Sequence, residues 1–162
     1  MKSSFLDSII SNSVYLGYFQ VNKNNTMTFE TFHKKPSGQR NKKFFDDLGD
    51  IVYFMLVRGK LMKIGKAAGS KGWYGRISTY QMGSKADQTN KMIIQKMHEM
   101  KENRIDIVAI KAPRVTSTVK CPVTNKQIKI ELETAAQLER LLANKYLNEM
   151  DVNSLPFCSQ IG

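Results

Sequence analysis

The chain has 162 residues, the expected size of one compact domain, and 41% of them are hydrophobic, which is enough to form a core. Its 25 Lys and Arg residues outnumber the 14 Asp and Glu residues and give a formal net charge of +11, so we expect a polyanionic partner such as nucleic acid. No apolar run is long enough to cross a membrane and no signal-peptide segment is visible, which favours a cytoplasmic protein.

Residues 1–48 are predicted to form an N-terminal extension with a short helix, a hairpin and a basic linker. The helix is expected at residues 3–10, and the hairpin strands "SVYLGYFQV" and "TMTFETF" flank an Asn-rich turn. The linker "KKPSGQRNKK" carries five cations and no acidic residue, and it includes Pro and Gly. Such a run is ordinarily a solvated loop, but it also offers candidate DNA contacts: Lys34, Lys35, Arg40, Lys42 and Lys43.

A second hairpin is predicted over "VYFMLVRGKLMKIGKA". The expected turn is a three-residue loop that closes with Gly59 at positive φ, which would pair Leu56 with Lys60. Counting outward from that turn places Tyr53 directly opposite Lys63 on one face of the hairpin. The other face would carry four apolar core residues: Val52, Phe54, Met62 and Ile64.

The predicted pairing of Tyr53 with Lys63 suggests a chemical role. A nearby ammonium group stabilises a phenolate, so Lys63 would lower the pKa of Tyr53 from its usual value of about 10. A phenol of lowered pKa is a candidate general base towards water. The ordinary alternative is a tyrosine that packs in the core and a lysine that faces solvent.

The remaining chain alternates predicted helices and strands. A Gly-rich loop follows the second hairpin, and residues 58–76 hold six cations and no acidic residue. Helices are expected at about residues 75–81, 88–103 and 134–150, a buried strand at residues 106–112, and a third hairpin around the turn "CPVTN". Together these elements predict an α/β protein of the α+β kind, with a small antiparallel or mixed sheet and flanking helices.

The order and spacing of four polar residues resemble the GIY-YIG nuclease superfamily. The first motif stands here as Ile51-Val52-Tyr53 and the second as Lys63-Ile64-Gly65. The superfamily's arginine is matched by Arg76 in "YGRISTY", and its metal-binding glutamate by Glu139 in "QLERLLANKYL". The resemblance extends over residues 49–162, interpreted as a GIY-YIG-like nuclease domain, and it is strongest to the small type II restriction endonucleases of that superfamily.

This resemblance implies metal-dependent hydrolysis of DNA phosphodiesters. Tyr53 would deprotonate or orient the attacking water, with the aid of Lys63 and Lys66. Arg76 would hold the scissile phosphate, and Glu139 would bind one Mg²⁺ (or Mn²⁺) ion. Further candidates are the DNA contacts Lys71 and Tyr80 and the structural glycines Gly59 and Gly65.

Helical spacing supports an inward position for Glu139. At about 100° per residue, it flanks the apolar stripe of the last predicted helix, whereas Glu133 falls nearly opposite. The stripe consists of Ala135, Leu138, Leu142 and Tyr146. The metal role that the resemblance implies is therefore favoured for Glu139, and the alternative is an ion-pair partner for Lys63, Lys66 or another basic residue.

Two positions depart from the superfamily pattern. Ile51 stands where the first motif has a glycine. An asparagine near the end of the domain has no clear counterpart, and the nearest candidates are Ser159 and Gln160.

The favoured function is therefore a type II restriction endonuclease or a phage relative, which acts on double-stranded DNA in the cytoplasm of a bacterial or phage-infected cell and forms a possible homodimer. A homing or structure-specific nuclease is an alternative, as is a non-catalytic nucleic-acid-binding module on the same fold. Peripheral membrane binding is disfavoured because the cations lie in predicted loops and strands rather than on an amphipathic helix.

Overall fold

The computed structural model describes residues 3–158. Five α-helices, one short 3₁₀ helix and seven strands alternate along this part of the chain. The helices are α1 (Ser4–Ser11), α2 (Lys42–Asp47), α3 (Gly72–Gln81), α4 (Gln88–Glu99) and α5 (Ala135–Met150), with the 3₁₀ turn at Gly83–Lys85. The strands are β1 (Val14–Val21), β2 (Met27–Glu30), β3 (Ile51–Val57), β4 (Lys60–Ala67), β5 (Arg104–Lys111), β6 (Val115–Lys120) and β7 (Gln127–Leu132).

A five-stranded sheet in the order β2-β1-β5-β3-β4 forms the centre of the molecule. All four of its strand pairings are antiparallel. One face packs against α2, α3 and α4, and the other against α1 and α5. Because every residue of β3 is buried, this strand has the continuous apolar run that a doubly covered strand requires. The predicted α+β architecture is confirmed.

The N-terminal segment contributes two strands to this sheet. Strand β1 lies between β2 and β5, so its side chains Leu16 and Phe19 are fully buried. The sequence predicts a loop or linker for the basic run that follows, which holds for residues 34–41 and is wrong for the last two residues, Lys42 and Lys43. An isolated bridge joins Lys34 to Arg40, and α2 then begins at Lys42 because the Asn41 side chain caps it.

The turn between β3 and β4 differs from the predicted three-residue loop. Arg58 and Gly59 both take positive φ, 50° and 77°, and form a two-residue turn in which Val57 pairs with Lys60. Such a turn matches the right-handed twist of the two strands. The predicted positive φ of Gly59 is confirmed, whereas the predicted pairing of Lys60 with Leu56 is wrong.

An irregularity in β4 changes the register of this hairpin. It lies between the pairs Met55–Lys63 and Leu56–Leu61, so Met62 is an extra residue in β4. Tyr53 lies opposite Gly65, so the predicted direct pairing with Lys63 is wrong. Lys63 pairs with Met55, two residues from Tyr53, so the prediction that Tyr53 and Lys63 share one face of the hairpin is confirmed. Met62 packs in the same core cluster as Tyr53, which corrects its predicted position on the other face.

Smaller differences concern helix boundaries. α3 begins three residues before its predicted start. α4 ends at Glu99 rather than near residue 103, because Lys101 adopts the left-handed conformation with φ 55°.

The third hairpin is confirmed as β6 and β7, which form a separate two-stranded sheet. None of the helices in residues 3–158 has the length and apolarity needed to cross a membrane.

Candidate active site

A pocket of about 240 Å³ opens beside the edge of the sheet where β3, β4, α3 and α5 meet. Seven residues singled out in the sequence line it: Tyr53, Lys63, Gly65, Lys66, Arg76, Tyr80 and Glu139. Four further residues complete the wall: Thr79, Asp87, Thr89 and Asn90. Residues that are far apart in sequence thus converge on one concave surface, the usual setting of an active site.

Two tyrosine hydroxyl groups meet at the wall of the pocket. Tyr53 and Tyr80 are both buried, and their hydroxyl oxygens lie 2.6 Å apart in a hydrogen bond. The sequence suggests Tyr80 as a DNA contact. The structure instead places its ring in the core, at 5.3 Å from the ring of Phe19, and leaves its hydroxyl beside Tyr53.

Burial controls the protonation of both phenols. It raises the pKa of Tyr53 above its ordinary value, while the hydrogen bond from Tyr80 and the charge of Arg76 partly oppose this rise. The pKa of Tyr80 is raised further, by burial and by Tyr53 itself. The expectation that the pKa of Tyr53 is lowered by Lys63 is therefore wrong, because desolvation of the phenol outweighs the favourable charges around it. The surroundings therefore disfavour the ionised form of both phenols, and they oppose ionisation of Tyr53 less than that of Tyr80.

Gly65 is required by the close approach of Tyr53. A Cβ atom at this position would lie 2.4 Å from both the hydroxyl oxygen and the Cζ atom of Tyr53. Any side chain at residue 65 would therefore displace the phenol that it faces across the two strands. The glycine of the second sequence motif thus leaves room for the tyrosine of the first.

Three cations surround the mouth of the pocket. Lys63 is half-buried, and Arg76 is exposed and donates from Nε to the backbone oxygen of Lys66 at 3.1 Å. The Lys66 ammonium pairs with Glu133 at 3.1 Å. Arg76 therefore has its guanidinium fixed at one nitrogen while the rest of the group faces the pocket and solvent.

Glu139 is the carboxylate among these cations. It is half-buried, and no hydrogen bond or ion pair reaches it within the described residues, because Lys66 pairs with Glu133 instead. Burial raises its pKa, and the charges of Lys63, Lys66 and Arg76 oppose that rise. A free carboxylate beside the pocket is a hard oxygen donor of the kind that Mg²⁺ and Mn²⁺ prefer.

The donor set fits a cation that keeps most of its own water. Residues 3–158 contain no group of three or more His, Cys, Asp or Glu side chains that could enclose a metal ion. Asp87 is a second carboxylate in the pocket wall, but it caps α4 and accepts a hydrogen bond from the Asn90 backbone at 2.8 Å. Glu139 would therefore supply one ligand, with water and phosphate oxygens as the others.

Asp87 and Asn90 were not identified from the sequence. The buried Asn90 amide donates to the backbone oxygens of Thr79 at 2.9 Å and Gly83 at 3.1 Å, so it fixes the end of α3 against the start of α4. The available signal was the cap: an aspartate directly before a helical stretch indicates a helix start. That signal gives the boundary, but it says nothing about the neighbouring pocket.

The other candidate DNA contacts are divided between the surface and the core. Lys34, Lys35, Lys43 and Lys71 are exposed. Arg40 turns inward and donates to the Phe29 backbone oxygen and the Gln81 side chain, each at 2.8 Å. Ser159 and Gln160, considered as counterparts of an asparagine, lie outside the described residues.

Neighbouring cavities connect these cations to the pocket. Lys42 and Lys71 line one cavity of about 500 Å³ together with Tyr74 and Met82. A second cavity of about 340 Å³ joins Lys71 to Lys66 and Arg76. A basic path therefore runs from α2 to the pocket.

Comparisons with known proteins find similarity at the level of structure. No family model matches the sequence, and no curated protein matches it significantly. The structure of "restriction endonuclease HPY188I in complex with product DNA" superposes with a TM-score of 0.54 at 15% identity, over 95% of this chain and 84% of that chain. The structure of a mutant of bacteriophage T4 EndoII gives a TM-score of 0.53 at 11% identity, over 93% of this chain and 97% of that chain. The chain therefore shares the fold of these two proteins.

Proposed function

We propose that the chain is a metal-dependent DNA endonuclease of the GIY-YIG type, either a type II restriction endonuclease or a phage relative. The observation that carries this proposal is the convergence of Tyr53, Lys63, Arg76 and Glu139 on one pocket. Both structural neighbours are described as nucleases in their names, which supports the same class of reaction. The substrate would be double-stranded DNA, attracted by the net charge of +11.

The buried tyrosine pair would handle the attacking water. Tyr80 would be the donor in the hydrogen bond between the two hydroxyl groups, which leaves the Tyr53 hydroxyl free to donate a hydrogen bond into the pocket. After Tyr53 ionises, its phenolate oxygen can accept a proton from water. Because burial raises the pKa of Tyr53, orientation of the water dominates at neutral pH and proton removal increases in alkaline solution. Lys63 and Lys66 supply positive charge near the departing proton.

Arg76 and Glu139 would act on the phosphate. The free nitrogens of the Arg76 guanidinium can donate charge-assisted hydrogen bonds to the phosphate oxygens, where negative charge grows in the transition state. Glu139 would hold Mg²⁺ or Mn²⁺ through a carboxylate that no other described group occupies. When bound, the ion polarises the phosphate and stabilises the leaving oxygen.

A homodimer is part of this proposal for the restriction-enzyme case. One pocket cleaves one strand, and two-fold symmetry would present a second pocket to the opposite strand of a palindromic site. The oligomeric state can be measured on the protein bound to a duplex that carries its own cleavage site.

Incubation with plasmid DNA and Mg²⁺ tests the proposal. Discrete fragments are expected from the wild type, and no fragments from Glu139→Ala or after addition of a chelator. A smear would indicate a structure-guided or non-specific nuclease. DNA binding without any cleavage over a range of pH and Mn²⁺ concentrations would indicate that the protein is a nucleic-acid-binding module and not an enzyme.

A further inference from the structure

The β6–β7 hairpin projects from the rest of the described structure. Every residue of its two strands is exposed except Ile130, which is half-buried. Its base is held in place: the Thr134 hydroxyl donates to the Pro113 backbone oxygen at 2.7 Å, and Arg114 donates to the nearly buried Asp50 carboxylate at 2.8 Å. A two-stranded hairpin has little stability of its own, so an arm with a firmly anchored base points to a role in binding.

The two faces of the hairpin differ in chemistry. On one face the register pairs hydroxyl, amide and charged side chains: Thr116 with Glu131, Thr118 with Lys129, and Lys120 with Gln127. The opposite face is mainly apolar: Val115, Ser117, Val119, Ile128, Ile130 and Leu132. We call these the polar face and the apolar face of the hairpin.

The base of the polar face is linked to the candidate active-site pocket by contacts of neighbouring residues. Glu131 lines a cavity of about 570 Å³ together with Asp50, Gly69 and Arg114. Two residues further along the chain, Glu133 pairs with Lys66, which lines the pocket itself. Asp50 also accepts a hydrogen bond from the Gly69 backbone at 3.1 Å, so one carboxylate ties the base of the hairpin to the loop before α3.

We propose that the polar face of the β6–β7 hairpin enters the major groove of DNA and reads base edges near the cleaved phosphate. This inference rests on the proposed nuclease function and adds the element that selects the sequence. The major groove, about 12 Å wide, admits a two-stranded ribbon. Strands of six residues span roughly 20 Å at about 3.3 Å per residue, which corresponds to about six base pairs.

The side chains of the polar face suit this partner. Lys120 and Lys129 can donate to the O6 and N7 acceptors of guanine, and Gln127 can make two hydrogen bonds to adenine. The methyl group of Thr118 can contact the methyl group of thymine. Glu131 lies at the base of the hairpin, where the positive charge of Arg114 partly offsets its negative charge and so reduces its repulsion of the DNA. The exposed lysines also complement the negative charge of the duplex.

A four-residue variant of the polar face tests the proposal. Sequencing of the ends produced from plasmid DNA by the wild type first defines its preferred duplex. Thr118, Lys120, Gln127 and Lys129 are then changed together to Ala, and affinity is measured with Ca²⁺ for that duplex and for a scrambled one. We expect the ratio of the two affinities to fall at least about tenfold, the scale for loss of paired base contacts. Cleavage by the variant should also spread to additional sequences.

The matched control is the double variant Val119→Thr and Ile128→Thr, which changes a cross-strand pair on the apolar face. It should keep the wild-type affinity ratio. Both variants should keep the wild-type melting temperature because the hairpin contributes no buried core residue. An unchanged melting temperature excludes loss of folding as the cause of any change in affinity.

Four results would overturn the proposal, and they are distinguishable. If the wild type cuts specific sites and the polar-face variant cuts the same sites with equal affinity, the hairpin does not read DNA. If only the apolar-face variant loses activity and becomes monomeric, the hairpin binds a second copy of the chain. If the wild type cuts DNA without sequence preference, no base-reading element exists, and if it neither binds nor cuts DNA, the nuclease proposal fails as well.

Discussion

Two buried phenols form part of the pocket wall, and their protonation differs from that of a surface tyrosine. The hydrogen bond from Tyr80 and the charge of Arg76 favour the ionised form of Tyr53, whereas desolvation opposes it. The balance raises the pKa of Tyr53, so at neutral pH almost all molecules hold a neutral phenol. A base that acts through its ionised form should therefore become more effective as the pH rises.

This balance predicts an alkaline pH profile for cleavage. Below the pKa of Tyr53 the phenolate fraction grows tenfold per pH unit, so above neutral pH, where proton removal takes over from orientation of the water, log kcat/KM should rise without a plateau up to at least about pH 10. Tyr53→Phe should lose at least about a hundredfold in rate and most of this pH dependence. The profile can be measured with a short duplex at saturating Mg²⁺ over a pH range in which the DNA stays paired.

Tyr80→Phe provides the control for that profile. It removes the hydrogen bond that lowers the pKa of Tyr53, so cleavage at pH 8 should fall while the rise with pH is retained. A wild-type profile that levels off near pH 7 would exclude Tyr53 as the titrating base.

Arg76 and Glu139 carry opposite charges in the same pocket, which predicts a divergence between binding and catalysis. Arg76→Ala and Glu139→Ala should each reduce cleavage by at least about a hundredfold, the scale for one transition-state contact. DNA affinity measured without metal should be unchanged or higher for Glu139→Ala, because a negative charge near phosphate is removed. For Arg76→Ala it should be lower.

Glu133→Ala is the matched control for the loss of Glu139, because Glu133 is exposed and already pairs with Lys66. Its cleavage rate should stay within a few fold of that of the wild type. If Glu139→Ala cleaves normally and Glu133→Ala does not, the metal ligand has been assigned to the wrong carboxylate.

At the scale of whole elements, the β3–β4 hairpin sets the position of the pocket. Its two-residue turn and the extra residue Met62 together place Gly65 across from Tyr53. The paired positions are complementary in volume, since the glycine leaves the space that the phenol occupies. A side chain at residue 65 should therefore affect both stability and catalysis.

Gly65→Ala tests this complementarity. The added methyl group would lie 2.4 Å from the Tyr53 hydroxyl, so the ring or a strand must move, at a cost of about 1–3 kcal/mol in the free energy of unfolding. Cleavage should fall at least about a hundredfold because the phenol is displaced. Thermal or denaturant unfolding measures the first effect, and plasmid cleavage the second.

The double variant Tyr53→Ala with Gly65→Ala shows whether the two residues are coupled. Removing the ring removes the clash, so the combined loss of stability should be smaller than the sum of the two single losses. Strict additivity would mean that the alanine is accommodated without contact to the ring.

Prediction from the sequence succeeded for elements with strong local signals. Alternation and apolar content identified the strands of the three hairpins, and helical spacing placed the buried Ala135 and Tyr146 on one stripe of α5. The extra residue in β4 escaped prediction because a bulge has no distinct local composition, and its effect appears only in the pairing. The burial of Tyr53 could not be predicted either, because it depends on contacts with Trp73 and Tyr80, which come from α3.

In the candidate site, the individual residues could be predicted from the sequence, but one contact between them could not. Tyr53, Lys63, Arg76 and Glu139 were identified from their order in the sequence, and the structure places all four at one pocket. The Tyr53–Tyr80 hydrogen bond was not identified, because it joins two elements and spans 27 residues of sequence. Contacts of this kind depend on how a helix crosses the sheet, which single-sequence periodicity does not determine.

At the scale of the whole molecule, four cations and two carboxylates lie along a path that leads from α2 to the pocket, and Lys42 and Lys66 pair with those carboxylates, Asp46 and Glu133. Lys42, Lys71, Lys66 and Arg76 line consecutive cavities on this path. Lys34, Lys35 and Lys43 are exposed nearby in sequence and make no ion pair within the described residues. Such an arrangement suits the regularly spaced phosphates of a duplex.

The basic run should therefore govern the salt dependence of DNA binding. Each lysine that contacts a phosphate releases condensed counterions, so replacing Lys34, Lys35, Lys42 and Lys43 with Gln should flatten the slope of log affinity against log salt. The expected change is roughly three to four units, at about 0.9 per lost contact. It should be nearer three because Lys42 already pairs with Asp46 at 2.6 Å and lies over the ring of Tyr74. Sequence preference should survive, since phosphate contacts position the protein without reading bases.

A control with the same loss of charge separates contact from general attraction. Lys23, Lys91, Lys101 and Lys145 are exposed and line none of the cavities on the basic path. Their replacement with Gln removes as much positive charge, yet it should change the slope by less than about one unit because these side chains do not reach the duplex. Equal slopes for the two quadruple variants would show that the basic run acts only through net charge. Because release of counterions requires close approach to a phosphate, a difference between the variants would place the DNA along α2.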